Sequence, residues 1–342
     1  MELSERKEMI LSAIIERFLT TGEPVGSKFL AGMLAVPVSS ATVRNDMAML
    51  SDMGYLDQPH TSAGRIPSDK GYRYYIDRLL QNFNPSDADI FRILSSIDHS
   101  EGDAVSILSQ ICEVLSVVTG LTAVALTPFS ENSVVTGAKL IPLGTKSVMV
   151  TVSTSTGITK SRISRLQCEI DYPLMELFYN VTAANFIGLT SDEFTKAKLQ
   201  SVAASLGERS LDIMPLIVSF FDCATEASGA DVIVKGQSQL LSCAELGSTG
   251  VEIIELLRNR SAVVSLMETQ QDEAVSLKIG SENEFRCLRR AAVIKAKYKV
   301  GENAAGTIGV IGQTKTDYSR IIPLVKYISE VAGSILTGMA DD

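Results

Sequence analysis

The sequence has no tryptophan and only two histidines, His60 and His99, in 342 residues. Its five cysteines are widely spaced, odd in number and without a Cys-x-x-Cys pair, which predicts reduced, mostly buried thiols instead of a disulfide framework. Neither histidine is near a cysteine in the chain, so a zinc site is not indicated. With no G-x-S-x-G elbow and so few histidines for a His-based triad, we expect no enzyme active site, no metal and no cofactor.

An excess of positive charge is also missing. The net charge is −9, and the first 80 residues alone hold nine Lys and Arg against ten Asp and Glu. Bulk electrostatics therefore does not predict a nucleic-acid partner. If the chain binds DNA, the binding must depend on where a few cations are placed: Arg44, Arg65, Lys70 and Arg73.

Long uncharged apolar runs are absent as well. No stretch approaches the roughly 18 residues that a membrane span needs, and charged residues interrupt the start of the chain, where a secretory signal would need an apolar run. We therefore expect a cytoplasmic protein without a membrane segment. With 45% hydrophobic residues, a chain of this length can bury two or three separate cores, which predicts several domains.

Residues 39–53 have the pattern of an amphipathic helix with a capped start. Ser39 supplies an oxygen for the free amides of the first turn, and Val43, Met47 and Leu50 recur at helical spacing as a buried stripe. Small side chains let the opposite face approach base edges, asparagine suits adenine, and arginine suits guanine or a phosphate. Taken alone, the pattern fits an ordinary surface helix equally well. The residues of this opposite face are Ala41, Arg44, Asn45, Ala48 and Asp52.

The stretch that follows this helix favours DNA recognition. Gly54 is placed to end the helix, Tyr55 and Leu56 begin a strand, and residues 59–65 form a tight tip with Arg65 just past its glycine. Two helical patterns precede the helix, one ending near residue 22 and one near residue 34, with the spacing of a helix-turn-helix. A helix-turn-helix followed by a hairpin is the order of a winged helix.

The predicted DNA-binding residues come from the helix, the hairpin and the helix after it. Arg44 has no carboxylate three or four residues away on its own helix, so an outside anion can bind it. His60 fits a phosphate contact at low pH or a packing role at the strand end. The full set is Ser39, Ser40, Ala41, Thr42, Arg44, Asn45, His60, Ser62, Gly64, Arg65, Lys70 and Arg73.

Beyond residue 84 the chain alternates between helical and strand patterns. Strand patterns run from 122 to 165 and again from 274 to 312, and the segment between them reads mostly as helix. We expect one antiparallel sheet that begins in the first block and is completed in the second. The helical segment between the two blocks would then be inserted into that domain.

Four stretches resemble the HrcA family of heat-shock repressors: PVGS at 24–27, SSATVRNDM at 39–47, GYLDQPHTSAGRIPSDKGYRYY at 54–75 and GVIGQTKTDYSRII at 309–322. The resemblance implies a homodimer that binds double-stranded DNA at the inverted repeat called CIRCE and represses chaperone operons until heat shock. It also implies a need for the GroE chaperonin to reach the active form. The implied fold is α+β and multidomain: a winged helix-turn-helix at 1–82, a GAF-like α/β domain at 86–172 and 272–342, and a mostly helical dimerisation domain inserted at 173–271.

Two segments near the end of the chain leave other functions open. Residues 301–307 have the glycine spacing of a phosphate loop, but the lysine is missing and a strand pattern follows instead of a helix. Residues 312–318 fit either a ligand loop or a turn in which Asp317 caps the last helix. The family usually has Pro, Arg and Met where this chain has Gln313, Lys315 and Thr316. Folds of the GAF type often bind a small ligand, and the fold alone does not decide whether this one does. The alternative function is a ligand-sensing winged-helix regulator with a metabolite in the GAF-like pocket.

Overall fold

The chain is a mixed α+β protein. The computed structural model describes residues 3–34, 38–60, 63–79, 84–97, 103–129, 134–155, 157–190, 193–227, 229–268, 274–301 and 304–341. In chain order its main elements are α1 (Glu5–Thr21), α2 (Ser27–Met33), α3 (Ser40–Asp52), β1 (Leu56–Asp57), β2 (Ile66–Pro67), α4 (Asp69–Tyr74), α5 (Asp87–Ser95), α6 (Ala104–Thr119), β3 (Thr122–Phe129), β4 (Val135–Pro142), β5 (Ser147–Thr154), β6 (Thr159–Arg165), α7 (Tyr172–Asn185), α8 (Lys196–Ser205), α9 (Ser210–Ala227), β7 (Val232–Lys235), α10 (Ser238–Ser242), α11 (Thr249–Arg258), α12 (Arg260–Met267), β8 (Val275–Ile279), β9 (Ala291–Val300), β10 (Ala304–Gln313) and α13 (Tyr318–Asp341).

The first part of the chain packs three helices against a short hairpin. The buried stripe of α1 lies against α3, whose Val43 and Leu50 are fully buried. Helix α1 ends at Gly22, which has a φ of 72°, a left-handed conformation that glycine adopts without a steric penalty. The strands β1 and β2 pair antiparallel, with Leu56 opposite Pro67. Helices α1–α3 and the two-stranded hairpin beside α3 thus form one unit.

A five-stranded antiparallel sheet forms the centre of the rest of the chain. Its strand order is β7-β3-β10-β9-β8. Successive side chains of a strand point to opposite faces, so Ala123 and Ala125 of β3 contribute to the core shared with α6 and α13, whereas Val124 and Leu126 contribute to the core shared with α10–α12. The sheet is therefore covered by helices on both faces.

A second, three-stranded sheet lies outside the first. It has the order β4-β5-β6 and packs against α7–α9 around a core of its own. Val148, Val150 and Val152 of β5 are buried, and the residues between them are only partly covered, so one face of this sheet is open to solvent.

The expectation of one sheet begun at 122 and completed at 312 is confirmed for β3 and β8–β10, but β4–β6, expected in the same sheet, form a separate one. Only β3 of the first strand block joins β8–β10, and β7 completes that sheet. The physical difference is visible in the burial of the strands. Residues 291–296 of β9 are buried without interruption, as a strand covered on both faces requires, whereas β5 alternates as a half-covered strand does.

The last helix, α13, is long and apolar enough to span a membrane. The stretch Tyr318–Met339 of α13 is apolar enough to cross a bilayer, but half of it is buried inside the protein, where it packs on β9 and α6. That burial is what a core helix of a folded domain shows.

The prediction of free thiols is confirmed, but the prediction that most are buried is not, because Cys168, Cys243 and Cys287 are only half-buried. All five are free, and Cys112 and Cys223 are buried. Burial raises the pKa of the Cys112 thiol to about 12, which keeps it protonated and unreactive.

Candidate nucleic-acid interface

Helix α3 begins and ends where the sequence predicts. The Ser39 hydroxyl accepts a hydrogen bond from the Thr42 amide at 3.1 Å and so caps the first turn. Val43, Met47 and Leu50 are buried, as expected for the inward stripe. The helix ends at Asp52, and Gly54 then adopts a φ of 78°. The helix and its orientation are therefore confirmed.

The solvent face of α3 carries the two polar side chains singled out from the sequence. Arg44 and Asn45 are exposed, as are Ser39, Ser40 and Ala41 before them, and Thr42 is half-buried. In the part of the chain that the structure describes, the side chains of Arg44 and Asn45 have no hydrogen bond or ion pair. Their donors are therefore available to an external partner.

A partly buried ion pair that sequence reasoning missed holds the inner side of α3 against α1. The side chain of Asp46 is only 5% exposed, and the Arg6 guanidinium of α1 donates to it from Nε at 2.7 Å and from Nη2 at 3.3 Å. Asp46 lies three residues after Val43 and four before Leu50, so helical spacing places it within the buried stripe. That spacing was the available signal. The pair attaches α3 to α1.

Gly64 in the hairpin is required by a close backbone contact. A Cβ at Gly64 would lie 2.3 Å from the carbonyl oxygen of Val25, closer than atoms can approach. Next to it, Arg65 and Val25 exchange two backbone hydrogen bonds of 2.9 Å each. The chain between α1 and α2 thus joins the edge of the hairpin, which explains why the PVGS stretch belongs to the same unit.

The Arg65 side chain lies between the hairpin and α3. Its Nε donates to the Ser51 hydroxyl at 2.8 Å, near the end of the helix, and the residue is half-buried. His60 is exposed at the tip, and Ser62 lies outside the described residues. The hairpin therefore brings the Arg65 cation against the end of α3, with His60 at its exposed tip.

Lys70 has a partner on the end of α3. Its Nζ donates to the Met53 carbonyl oxygen at 2.8 Å and lies 4.6 Å from the centre of the Tyr55 ring. An ammonium at the C-terminus of a helix satisfies a free carbonyl and is favoured by the helix dipole. The side chain remains exposed, so its charge adds to the field at this end of α3.

Arg73 points away from the other candidate residues, which corrects its expected role. Its Nε donates to Glu282 at 2.9 Å, its Nη2 to Glu282 at 2.5 Å and to the Leu277 carbonyl at 2.7 Å, and its Nη1 lies 3.5 Å from Asp77. All three nitrogens of the guanidinium are thus engaged within the protein. A partner more than 200 residues away cannot be read from local spacing, and we remove Arg73 from the candidate interface.

The segment 312–318 joins the end of β10 to the start of α13 through a turn that contacts the first part of the chain. Asp317 caps α13, accepting from the Arg320 amide at 3.3 Å and from the Ser319 hydroxyl at 2.5 Å. The Lys315 ammonium lies 5.6 Å from the centre of the Phe18 ring in α1. A cleft of about 280 Å³ lies beside this turn, where Cys243 donates to Gln313 at 2.8 Å. Among the described residues, no group of three His, Cys, Asp or Glu could hold a metal ion, and His99 lies outside them.

Comparison with known proteins assigns the family. Residues 105–322 match the family model described as HrcA protein C terminal domain, which is more than half of the chain. The chain belongs to the HrcA family. The HrcA relatives are named as heat-inducible transcription repressors, and the chain is accordingly a transcription repressor of that family and not an enzyme.

The relatives extend over the full length of the chain. The heat-inducible transcription repressor HrcA of Thermoanaerobacter pseudethanolicus is 33% identical over 100% of this chain and 99% of its own length. The HrcA protein of Acetivibrio thermocellus is 30% identical over 96% and 95%. A crystal structure described as a hypothetical protein at 2.2 Å resolution matches 98% of this chain and 99% of its own chain, with a TM-score of 0.72 and 24% identity. That last likeness supports the mixed α+β fold over the whole length.

Proposed function

We propose that the chain is a homodimeric repressor that binds the CIRCE inverted repeat upstream of chaperone operons and prevents their transcription until heat shock. The observation that carries this proposal is the exposed face of α3, where Arg44 and Asn45 have no partner among the described residues. Helices α1–α3 followed by the β1–β2 hairpin have the order of a winged helix-turn-helix, so we assign residues 1–82 as the DNA-binding domain.

In the proposed complex, α3 lies in the major groove. Arg44 and Asn45 read base edges, and the small side chains of Ser40 and Ala41 let the helix approach closely. Ser39, Thr42, His60, Ser62, Gly64, Arg65 and Lys70 lie around the groove and contact or orient the phosphate backbone. Arg73 is omitted because Glu282 and Leu277 occupy its guanidinium.

For the rest of the chain we propose a GAF-like domain built on the five-stranded sheet, with a dimerisation domain inserted in it. We propose an insert at about residues 134–227 in place of the expected 173–271, and the second sheet with its separate core supports this boundary. Large apolar side chains on this unit face solvent, which favours it as the surface that a second copy covers. They include Ile163, Tyr172 and Leu211, which are 62%, 78% and 85% exposed.

The family resemblance adds a chaperonin partner. We propose that GroE assists the chain to its active form in the cytoplasm, so that a rise in unfolded protein draws GroE away and relieves repression. The positive mean hydropathy of +0.18 and the exposed apolar side chains of the insert are consistent with a protein that needs such assistance.

Footprinting on the upstream regions of chaperone genes tests the proposal. We expect the purified chain to protect a palindrome, and Arg44→Ala to lose that protection while remaining folded by circular dichroism. Protection of no inverted repeat, with or without added GroE, would show that the operator assignment is wrong. Sedimentation of the full chain as a monomer at micromolar concentration would contradict the dimer.

The ligand-sensing alternative has one observation in its favour, the cleft beside Gln313. Its volume of about 280 Å³ is slightly below the range for small-molecule sites, about 300–1,000 Å³. The neighbouring turn 312–318 already has a structural role against α1. A saturable rise in melting temperature with one member of a metabolite panel would favour this alternative over the first proposal.

A further inference from the structure

The DNA-binding unit and the five-stranded sheet are joined by an ion pair with two hydrogen bonds. Arg73 of α4 donates to both carboxylate oxygens of Glu282, which follows β8, and also to the Leu277 carbonyl of that strand. Burial by itself would raise the pKa of the Glu282 carboxyl, but hydrogen bonds from Arg73 and from the Ile279 amide outweigh it and hold that pKa below its ordinary value. The pair is therefore fully charged at neutral pH.

A second contact lies one turn earlier on α4. The Asp69 carboxylate accepts from the Ser281 amide at 2.9 Å and from the Ser281 hydroxyl at 3.0 Å. A Cβ at Gly280 would lie 2.1 Å from Asp69, so glycine at this position is what allows α4 to approach the turn. Both ends of α4 are thus attached to the Gly280–Glu282 turn.

Aromatic packing fills the space between these polar contacts. Tyr72 of α4 and Tyr318 at the start of α13 are both buried, with ring centres 5.6 Å apart. From the other side, Lys315 passes over Phe18 of α1 and against Gly22, where a side chain would collide with the ammonium. Contacts of four kinds therefore fix the orientation of the DNA-binding unit, far more than a flexible tether would provide.

Orientation matters to a dimer that reads an inverted repeat. Each base pair added between two half-sites turns one of them by about a tenth of a helical turn and moves it along the axis. A rigidly oriented recognition helix tolerates little of that rotation, whereas a loosely attached one follows it. The junction between α4 and the sheet is therefore placed to decide which spacing is accepted.

We infer that Arg73 and Glu282 are positioning residues that set the half-site spacing the protein accepts. The inference rests on the proposed function, because it needs two recognition helices on one palindrome. It assigns to the GVIGQTKTDYSRII stretch, whose Lys315 and Tyr318 contact the DNA-binding unit, a structural role in spacing selection.

Binding to inverted repeats of varied spacing tests the inference, with the full-length chain and its variants. We expect the wild type to prefer one spacing over those lengthened or shortened by two base pairs by about tenfold or more, and Arg73→Met to reduce this preference to about threefold or less. Affinity for a single half-site should stay within about twofold, because Arg73 does not contact DNA. The exchange Arg73→Glu with Glu282→Arg should restore the preference.

A matched control uses an ion pair on the same strand that does not cross the junction. Lys278 pairs with Glu284 at 2.8 Å, and Lys278→Met should keep the wild-type spacing preference. Unchanged preference in Arg73→Met would overturn the inference while leaving the proposed function standing. A loss of half-site binding that the exchanged pair does not restore would overturn it too, because Arg73 would then act as a DNA contact. Failure of the wild type to bind any inverted repeat would overturn the proposed function and this inference with it.

Discussion

Asp46 on the buried side of α3 is held by Arg6 of α1, with Nε and Oδ2 2.7 Å apart. At about 100° per residue, Asp46 lies nearly opposite Arg44 and about a quarter turn from Asn45. The pair therefore sets how α3 is rotated about its own axis, and with that rotation it sets which side chains face outward. Substitutions of Arg6 and Asp46 therefore test directly how α3 packs on α1.

Removing one partner of this pair should destabilise the DNA-binding unit more than removing both. Arg6→Met leaves the buried Asp46 carboxylate without its partner, which should cost about 1–3 kcal/mol of unfolding free energy. The double variant Arg6→Met with Asp46→Leu replaces both charges by apolar groups and should recover most of that loss. Urea denaturation gives the unfolding free energies of the wild type, the single variant and the double variant. Lys28→Met, at an exposed cation without a hydrogen bond or an ion pair among the described residues, is the control and should be neutral. Equal losses in the single and double variants would contradict a role for the pair.

Base reading by α3 should separate from backbone contact by the hairpin. Arg44→Ala and Asn45→Ala should each cost about 1–3 kcal/mol on the operator and much less on scrambled duplex, so the specificity ratio falls. Arg65→Ala should weaken both duplexes by similar factors and lower the salt slope by about 1, because one phosphate contact is lost. Filter binding across a salt series measures both quantities.

Ser51→Ala separates the charge of Arg65 from its hydrogen bond to α3. This variant removes the acceptor at 2.8 Å and keeps the cation, so the salt slope should match the wild type. If Arg65→Ala alone abolishes the specificity ratio while the α3 variants leave it intact, sequence is read by the hairpin and not by α3.

Two glycines of the same unit should differ sharply in their tolerance of alanine. Gly64→Ala places a methyl group 2.3 Å from the Val25 carbonyl, so the hairpin must move away from the segment between α1 and α2. We expect a loss of about 1–3 kcal/mol, as for overpacked sites, together with weaker DNA binding. Gly26→Ala has open space at its Cβ and serves as the control. Thermal unfolding of both variants checks this, and similar melting temperatures would show that the hairpin relaxes without cost.

The buried lysine of the central sheet should make stability depend on alkaline pH. Lys295 is 5% exposed and donates to the carbonyls of Leu266 and Glu268, at the end of α12. Burial, with Lys278 nearby, lowers the pKa of Lys295 to about 8, whereas the unfolded chain has about 10.4. Between these values the unfolded state binds more protons, so the unfolding free energy rises with pH, by up to about 1.4 kcal/mol per unit.

Lys295→Met should remove this contribution. Urea denaturation of both proteins at several pH values between about 7 and 10 gives the difference in unfolding free energy. That difference should change with pH only above about 8. Parallel curves for the wild type and the variant would show that the ammonium keeps an ordinary affinity for protons in the folded protein.

Local structure could be predicted from the sequence where the determining contacts are local. The Ser39 cap, the Val43–Met47–Leu50 stripe and the stop at Gly54 are all decided within one helix and its ends, and the structure confirms them. The burial of Asp46 could also be predicted, because its helical spacing puts it on the buried face. A buried carboxylate, however, requires a distant partner, and Arg6 is 40 residues away.

Pairing between distant segments could not be predicted in the same way. From sequence alone, β4–β6 could pair with β3 as well as β7 does. The two sheets differ in burial: β5 is buried on one face, and β9 is buried on both faces. Arg73 has the right charge for DNA and lies four residues after Asp69, yet its partner Glu282 is 209 residues further along the chain. Charge alone does not reveal which of two anions, a phosphate or a carboxylate, a guanidinium will meet.

The separation between Arg73 and Glu282 along the chain also has a consequence during synthesis. The two residues are 209 positions apart, and a ribosome adding about 5–20 residues per second needs roughly 10–40 s to cover that interval. Helices α1–α3 and the hairpin make their contacts within the first 80 residues and can form on the nascent chain. Until Glu282 and then Tyr318 leave the ribosome, the unit that carries Arg44 and Asn45 has no surface to dock on. A newly made chain therefore passes through a period in which α1–α3 and the hairpin can fold, but their orientation relative to the five-stranded sheet is not yet fixed.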